Sequence, residues 1–532
     1  MYDVIIVGSG ASGVSAAWPL INAGLKVLML DQGKEGPELW KGDETFLQRR
    51  LNDPEGWHTF LGDDFSALDS NGNESPKFRI PAHKHVLEGF TDAYQINSRN
   101  ISPTGSLALG GVTKMWGAGP YNYRGTDLLR FPVDPVEMDA SHRAIAIRMG
   151  INGVGDDDLS PWLGDDLKLQ PPLPLHENAK RTLEQYHSRP SISKRYGIRL
   201  GRARNAVLTQ PLGNRQACTE TSMCFWGCSR NSIYGADQEL IDLQRNDNFV
   251  LIKGAFVTNI NLAASSYSLD CIDLEKKSLK RNFNAKKVIL AAGTVASTSL
   301  ALKHLKAFDV DVPLICHPSY AVLFSLPRRI GSPLSQKGFS LGQLAYLIEE
   351  PKQPEDYVFG VVFAMEGMMA QEIMRYMPLS RPGAARLSRS LIPSLLVANG
   401  YLSGDYSDCS LRLTAEGKLN ISGWYHPDFI DRQQKAVKRL KGFFRSLGAW
   451  AVPYGTKLAR LGSDGHFAGT FPMSCDDKPM TTKPDGELRG APGLYLADGS
   501  SIPYLSAKHP TFTIMANADR IAKHLVRKMQ EE

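Results

Sequence analysis

Apolar and polar positions along this chain follow two rhythms, and the first appears at once. Val4-Ile5-Ile6-Val7 is a continuous apolar run, the mark of a strand buried on both faces, and it leads directly into Gly8-Ser9-Gly10-Ala11-Ser12-Gly13. A helical stretch from Val14 to Ala23 closes at Gly24, and a second apolar strand, Lys26 to Leu30, stops at Asp31, 18 residues past Gly13. Strand, glycine loop, helix, strand and acid in this register predict a βαβ unit that binds a dinucleotide. Gly8 permits the tight turn, Gly10 lets backbone approach a pyrophosphate, Ser12 sits in the same loop, Gly13 allows close helix–strand packing, and Asp31 accepts from ribose hydroxyls. Pro19 falls inside the predicted helix, where the lost hydrogen bond costs on the order of 3 kcal/mol unless the helix bends, so a bend is expected.

The second rhythm is strict alternation, in stretches such as Ser410-Leu411-Arg412-Leu413 and Lys418-Leu419-Asn420-Ile421, which predicts half-buried antiparallel strands. Between 248 and 292 several short strands are expected, the last of them Lys287 to Ala292, ending at Gly293. An Asp- and Pro-rich stretch from Gly155 to Pro174 reads as loop. With 532 residues, 42% hydrophobic and 22% charged, the chain has enough apolar material for two or three cores and is not disordered. A net charge of +6 is too dilute over this length to suggest nucleic acid as a partner, and none is expected. No apolar run reaches 18 residues, and Asp3 leaves no room for a secretory leader, so a cytoplasmic protein is expected.

Two further segments narrow the dinucleotide. Gly110-Gly111-Val112-Thr113-Lys114-Met115-Trp116-Gly117 resembles the glycine-pair loop beside the flavin ring in glucose-methanol-choline (GMC) oxidoreductases. Leu494 to Ser500, followed by His509 to Ala516, resembles that family's closing strand, Asp-Gly-Ser turn and helix. The resemblance implies an α/β fold in which a Rossmann-like FAD-binding domain is interleaved with a substrate domain built on an antiparallel sheet with helices. The FAD domain would comprise 1–130, 205–310 and 450–532, and the substrate domain 131–204 and 311–449. Carried over residue by residue, it places Gly110, Gly111, Thr113, Trp116, Val257, Ala292, Gly293, Asp498, Gly499, Pro510 and Thr511 against FAD, beside the first loop. Some relatives attach the flavin through a histidine where this chain has Met115, which implies non-covalent FAD.

Of twelve histidines, His466 and His509 match the family's catalytic pair, His466 in His466-Phe467-Ala468-Gly469-Thr470 and His509 in His509-Pro510-Thr511. Loss of a hydride from an alcohol carbon leaves a carbonyl only if the hydroxyl proton also departs. A neutral imidazole near pH 7 is suited to take it. His466 is assigned as the base and His509 as the group that hydrogen-bonds the substrate oxygen, with exchange of the two roles left open. The expected substrate is a primary or secondary hydroxyl of a sugar, cyclitol or related polyol. His83-Lys84-His85 lacks a ligand motif and is expected on an exposed strand or loop.

Seven cysteines are too few for a disulfide scaffold, yet three of them, Cys218, Cys224 and Cys228, lie within eleven residues. Their spacing resembles that of bacterial FAD-dependent glucose and gluconate dehydrogenases, which implies a [3Fe-4S] cluster passing electrons to an acceptor protein or quinone. A zinc site and structural or redox thiols are the alternatives, the last compatible with an oxidase or a non-catalytic flavin protein. Residues 373–404 hold no acid and mix Arg375, Arg381, Arg386 and Arg389 with apolar residues. They read either as a substrate-domain lid or as a surface for membrane contact.

Overall fold

The computed structural model describes residues 1–38, 40–68, 76–263, 266–276, 280–367, 371–374 and 377–532. Its first sheet has seven strands in the order Phe249–Ile252, Val27–Leu30, Tyr2–Val7, Lys280–Leu290, Ser266–Ile272 and Phe256–Ala263, with Leu494–Leu496 added in parallel beside Lys280–Leu290. Tyr2–Val7 is parallel to both neighbours and sits at the centre, with Val7 opposite Leu30 on one side and Leu290 on the other. Both faces are covered, which explains the unbroken apolar run. Val4 and Ile6 pack under the helices Ala11–Asn22 and Thr511–Glu531, while Ile5 and Val7 share a core with Leu300, Leu411 and Leu419. Pro19 is accommodated inside Ala11–Asn22, which ends three residues later with Ala23 N–H donating to the Pro19 carbonyl at 3.2 Å.

A second sheet of six antiparallel strands runs Trp450–Leu458, Ser319–Ser325, Leu395–Tyr401, Val358–Ala364, Leu344–Ile348 and Ile198–Arg202. Its two faces differ in a way the period of two dictates. Tyr320, Val322, Phe324, Val362, Leu396 and Ala398 enter a core with the helix Phe429–Ser446. The alternate residues, among them Leu323, Val361, Val397 and Asn399, line a cavity. Trp450–Leu458 belongs to this sheet although it lies beyond the boundary expected at 450, because it pairs with Ser319–Ser325. Likewise the helix Pro135–Met149, beyond the boundary expected at 130, is tied to the C-terminal helix by the Glu137–His524 pair at 2.7 Å.

The third sheet, Phe467–Ala468, Asp311–Cys316, Ser407–Leu413, Leu419–Tyr425 and Ile96–Arg99, joins the two bodies. Its register matters for the site. Cys316 is antiparallel partner to Phe467, so His317 and His466, the next residues outward, are brought side by side where the strands end.

Candidate active site

The glycines of the first loop are held by different constraints. Gly8 has φ +105°, and a Cβ there would lie 2.5 Å from the Ala291 carbonyl oxygen; a Cβ on Gly13 would lie 2.0 Å from the Gly8 carbonyl oxygen. At Gly10 nothing lies within 4 Å of such a Cβ, so the missing side chain there keeps space open at the N-terminus of Ala11–Asn22. Asp31 Oδ2 accepts from Ser9 N–H at 2.7 Å and Oδ1 from Gly33 N–H at 2.6 Å, with burial pushing its carboxyl up against those bonds. Ala255 N–H donates to the Asp31 carbonyl at 3.0 Å, which brings the segment leading to Val257 alongside.

The glycine-pair loop lies over this one. Gly110 N–H donates to Ser9 Oγ at 3.0 Å, and a Cβ on Gly111 would lie 3.3 Å from Gly10 Cα. The Thr113 hydroxyl ties the loop to itself, donating to the Gly110 carbonyl at 2.6 Å and accepting from Ala236 N–H at 2.9 Å. Trp116 Nε1–H donates to the Tyr234 carbonyl at 2.8 Å. At the other end of the cleft Asp498 acts as a pin. Its Oδ2 accepts from Gly293 N–H at 2.9 Å and Ser297 Oγ–H at 2.5 Å, its Oδ1 from Ser500 N–H at 3.0 Å, and Ala292 N–H donates to Ser297 Oγ at 3.1 Å. Gly499 fits because a Cβ would fall 2.4 Å from the Phe467 carbonyl oxygen, so the turn locks onto the strand that carries His466. Pro510 caps Thr511–Glu531, whose first residue reaches the cavity and whose N-terminus adds positive potential there. An open glycine cradle, a helix N-terminus and an acid 18 residues on fit the phosphates and ribose of FAD.

His466 and His509 meet in the cavity with ring centroids 5.3 Å apart, and Tyr401 packs against both at 5.6 and 4.7 Å. His317, unmarked by any motif, is buried behind them. Its Nε2 lies 2.5 Å from the Ser506 carbonyl oxygen, which only accepts, so Nε2 carries the proton. In the neutral ring Nδ1 is then bare. It lies 3.0 Å from His466 Nδ1, so His466 must donate from Nδ1 and keep its own Nε2 unprotonated. Burial, the largest cause, pushes His317 down to about 4, His509 down to about 3 and His466 well below the ordinary imidazole value, so all three rings are neutral near pH 7. His509 Nε2 is buried without a hydrogen-bond partner among the described residues, which leaves one polar position for a ligand.

The loop carrying His509 is held by a buried ion pair. Lys508 Nζ donates to Asp127 Oδ2 at 2.6 Å and to the Trp162 carbonyl at 2.7 Å. Tyr357 links the Asp127 carboxylate to Ser506 Oγ, the latter at 3.3 Å. Asp464, two residues before His466, accepts from Ser319 Oγ–H at 2.5 Å and Tyr401 O–H at 3.4 Å, while Lys77 faces it across the cavity wall. The adjacency of Asp464 to His466 was the one signal in the chain for these partners. His317, Tyr401 and Lys77 have none, because strands and loops far apart in sequence converge to place them.

The cysteines form a neighbourhood rather than a ligand set. Cys218, Cys224 and Cys228 Sγ each accept a backbone N–H, from Glu220, Ser340 and Ser232 at 3.3, 3.4 and 3.2 Å. Burial pushes the Cys218 thiol up to about 11 and Cys224 further still, which favours protonated thiols. Among the described residues no group of three or more His, Cys, Asp or Glu side chains is arranged to hold a metal ion. The three residues as placed therefore do not fit an iron–sulfur cluster. His83 and His85 differ from expectation: both lie in short helical turns, His83 is buried, and His85 lines a second cavity of about 290 Å³ together with Cys224 and Cys228.

In the acid-free stretch, Met377, Leu387, Leu391 and Leu395 line the main cavity and Arg381, Arg386 and Arg389 are exposed; Arg375 lies outside the described residues. Among the described residues no helix is long and apolar enough to cross a membrane.

A glycine cradle for a dinucleotide and two neutral histidines at the end of one cleft are the arrangement expected of a flavin-dependent alcohol oxidoreductase. The family comparisons agree: a GMC oxidoreductase model matches residues 407–518 and an FAD binding domain model residues 3–39. The chain carries an FAD-binding segment and a GMC oxidoreductase C-terminal segment, and it is an FAD-dependent alcohol oxidoreductase. It is 22% identical to 6'''-hydroxyparomomycin C oxidase of Streptomyces lividus over 99% of this chain and 92% of that one, and 23% identical to paromamine 6'-oxidase of Streptomyces fradiae over 98% and 91%. A 104-residue stretch, 19% of this chain and 20% of the relative, is 36% identical to C-glycoside 3-oxidase of Microbacterium trichothecenolyticum. Among solved structures, pyridoxine 4-oxidase from Mesorbium loti shares the fold, with a TM-score of 0.57 and 14% identity over 98% and 99% of the two chains.

Proposed function

We propose that this enzyme oxidises a primary or secondary hydroxyl on a sugar, cyclitol or related polyol to the carbonyl. Bound FAD supplies the hydride acceptor. His466 Nε2 takes the hydroxyl proton and His509 hydrogen-bonds the substrate oxygen, orienting the carbon–hydrogen bond. The observation that carries this reading is the hydrogen-bond chain from Ser506 through His317 to His466, which leaves the lone pair of His466 on its Nε2. His317 is thus a positioning residue. The segments 1–130, 205–310 and 450–532 are assigned to the cofactor and 131–204 and 311–449 to the substrate, with Trp450–Leu458 contributing to the substrate wall. Sugar-bearing substrates are supported by relatives named as oxidases of paromamine-type compounds and C-glycosides. Met115, which cannot form a histidyl link, supports non-covalent FAD.

Anaerobic addition of candidate polyols to FAD-loaded enzyme tests the proposal: the flavin absorbance should bleach, and acid precipitation should release the flavin. A flavin that no hydroxyl compound bleaches overturns it. For the reoxidising half, dioxygen is favoured by the three relatives named as oxidases. A second reading, electrons leaving through an iron–sulfur cluster to a protein or quinone, is favoured only by the cysteine spacing. Iron and sulfide analysis after anaerobic purification, set beside oxygen consumption, separates the two.

A further inference from the structure

The cavity that holds His466 and His509 measures about 1360 Å³, a volume shared between the flavin ring and a substrate. Its polarity is graded along one sheet face, and the register shows how. The row nearest the histidines pairs Ser319 with Tyr401. The next row holds Lys457, Ala321, Asn399 and Val361. The row after that holds Leu323, Val397 and Phe363, without a polar atom on any of its side chains, and beyond it Leu395 faces Ser325, whose hydroxyl is engaged with Ser394 Oγ at 2.9 Å. At about 3.3 Å per residue this apolar row lies roughly 13 Å from the Tyr401 row, farther than a single sugar ring reaches. Met377, Leu387 and Leu391 face the same space from the segment that follows Val358–Ala364.

Charge excludes the other kind of large substrate. Among the described residues Asp464 is the only carboxylate lining the cavity, and it already accepts from Ser319 and Tyr401. Lys77, Lys457 and Arg460 line the wall with positive charge. A substrate carrying several ammonium groups would find no counter-charges and would have to desolvate against leucine, valine and phenylalanine.

From the graded wall we infer that the substrate is a glycoside carrying an apolar aglycone, the sugar lying over the Tyr401 row and the aglycone over the Val397 row. The inference rests on the sugar reading proposed above and adds the partner of that sugar. It separates this enzyme from relatives whose names specify paromamine-type substrates.

The test uses FAD-loaded enzyme and three probes: methyl glucoside and 2-naphthyl glucoside, each as both anomers, and paromamine. The 2-naphthyl compound should exceed the methyl compound in kcat/KM by roughly 30-fold, with the gain in KM, as burial of one aromatic group predicts. Val397→Asp should bring that ratio close to one while the flavin spectrum stays native. A ratio near one in the unaltered enzyme, or paromamine as the best of the three, overturns the inference. Binding of 2-naphthol alone, read as a perturbation of the flavin spectrum, separates the two layers of the argument. If methyl glucoside bleaches the flavin and 2-naphthol leaves its spectrum unchanged, the apolar wall has no ligand and the sugar reading survives. If 2-naphthol binds and no glycoside bleaches the flavin, the glycoside assignment falls together with the sugar reading.

Discussion

Around Gly8 to Gly13 the backbone itself is the constraint, since a methyl group at Gly8 or Gly13 would collide with a carbonyl oxygen, whereas around His466 the constraint is a hydrogen-bonded relay drawn from four separate segments. The cofactor cradle tolerates almost no change at particular positions and asks little of distant ones. The catalytic end depends on positions more than 100 residues apart, such as His317 and His466, whose contact follows from one strand pairing. Backbone cradles are therefore expected to fail by losing the cofactor, and side-chain relays to fail by losing rate with the cofactor in place.

The sharpest break of that contrast is Gly13→Ala. A Cβ 2.0 Å from the Gly8 carbonyl oxygen cannot be relieved by a side-chain movement, so no flavin-loaded protein should be recovered, as judged by absorbance of the purified protein. His466→Ala should do the opposite, keeping FAD bound while substrate bleaching slows by about 10²- to 10⁴-fold, the usual contribution of a positioned base. Bleaching at the native rate would remove His466 from the mechanism. Gly10→Ala lies between them. Its Cβ meets nothing within 4 Å, so thermal stability without cofactor should change by less than about 0.5 kcal/mol while FAD affinity drops, measured by flavin titration.

His317→Phe should lower kcat about tenfold and move the midpoint of the pH–rate profile, because His466 Nδ1–H loses its acceptor and the ring loses its fixed tautomer; the magnitude is that of one lost buried hydrogen bond. His317→Asn, which restores an acceptor, should recover part of the rate. A merely structural role for His317 would leave the profile's midpoint unmoved in both variants.

The smallest effect is on stability. His317 is pushed from 6.5 down to about 4 by burial, so between those values the unfolded chain binds a proton there that the folded chain does not. Stability should be flat above pH 6.5 with respect to this group and decline as pH falls from about 6.5 toward 4. His317→Phe should lessen that decline in denaturant titrations. Activity should follow the same sign, holding as pH falls below 6.5 and failing only at more acid values, because His466 is held neutral below its ordinary range.

The first βαβ unit was legible because every requirement in it is local: a double-sided apolar strand, a glycine at each steric pinch and an acid one strand later all fall within Tyr2 to Asp31. Motifs likewise marked the glycine-pair loop, the Asp498 turn and both cavity histidines. Cys218, Cys224 and Cys228 mark the limit of spacing, since closeness in the chain suggested a ligand set whereas the folded backbone turns each sulfur to its own N–H donor. The acid-free stretch showed an apolar face but not what it faces, which is the cavity.

By itself, then, the chain determined the cofactor class and singled out His466 and His509 as the candidate pair, because glycine sterics and imidazole chemistry act over a few residues. The tertiary structure alone decided which proton His466 carries, that Tyr401 and Asp464 border it, and that the wall beyond Asn399 turns apolar. Those properties arise from strand register, which sets side chains from distant segments opposite one another and leaves no trace in the order of any one of them.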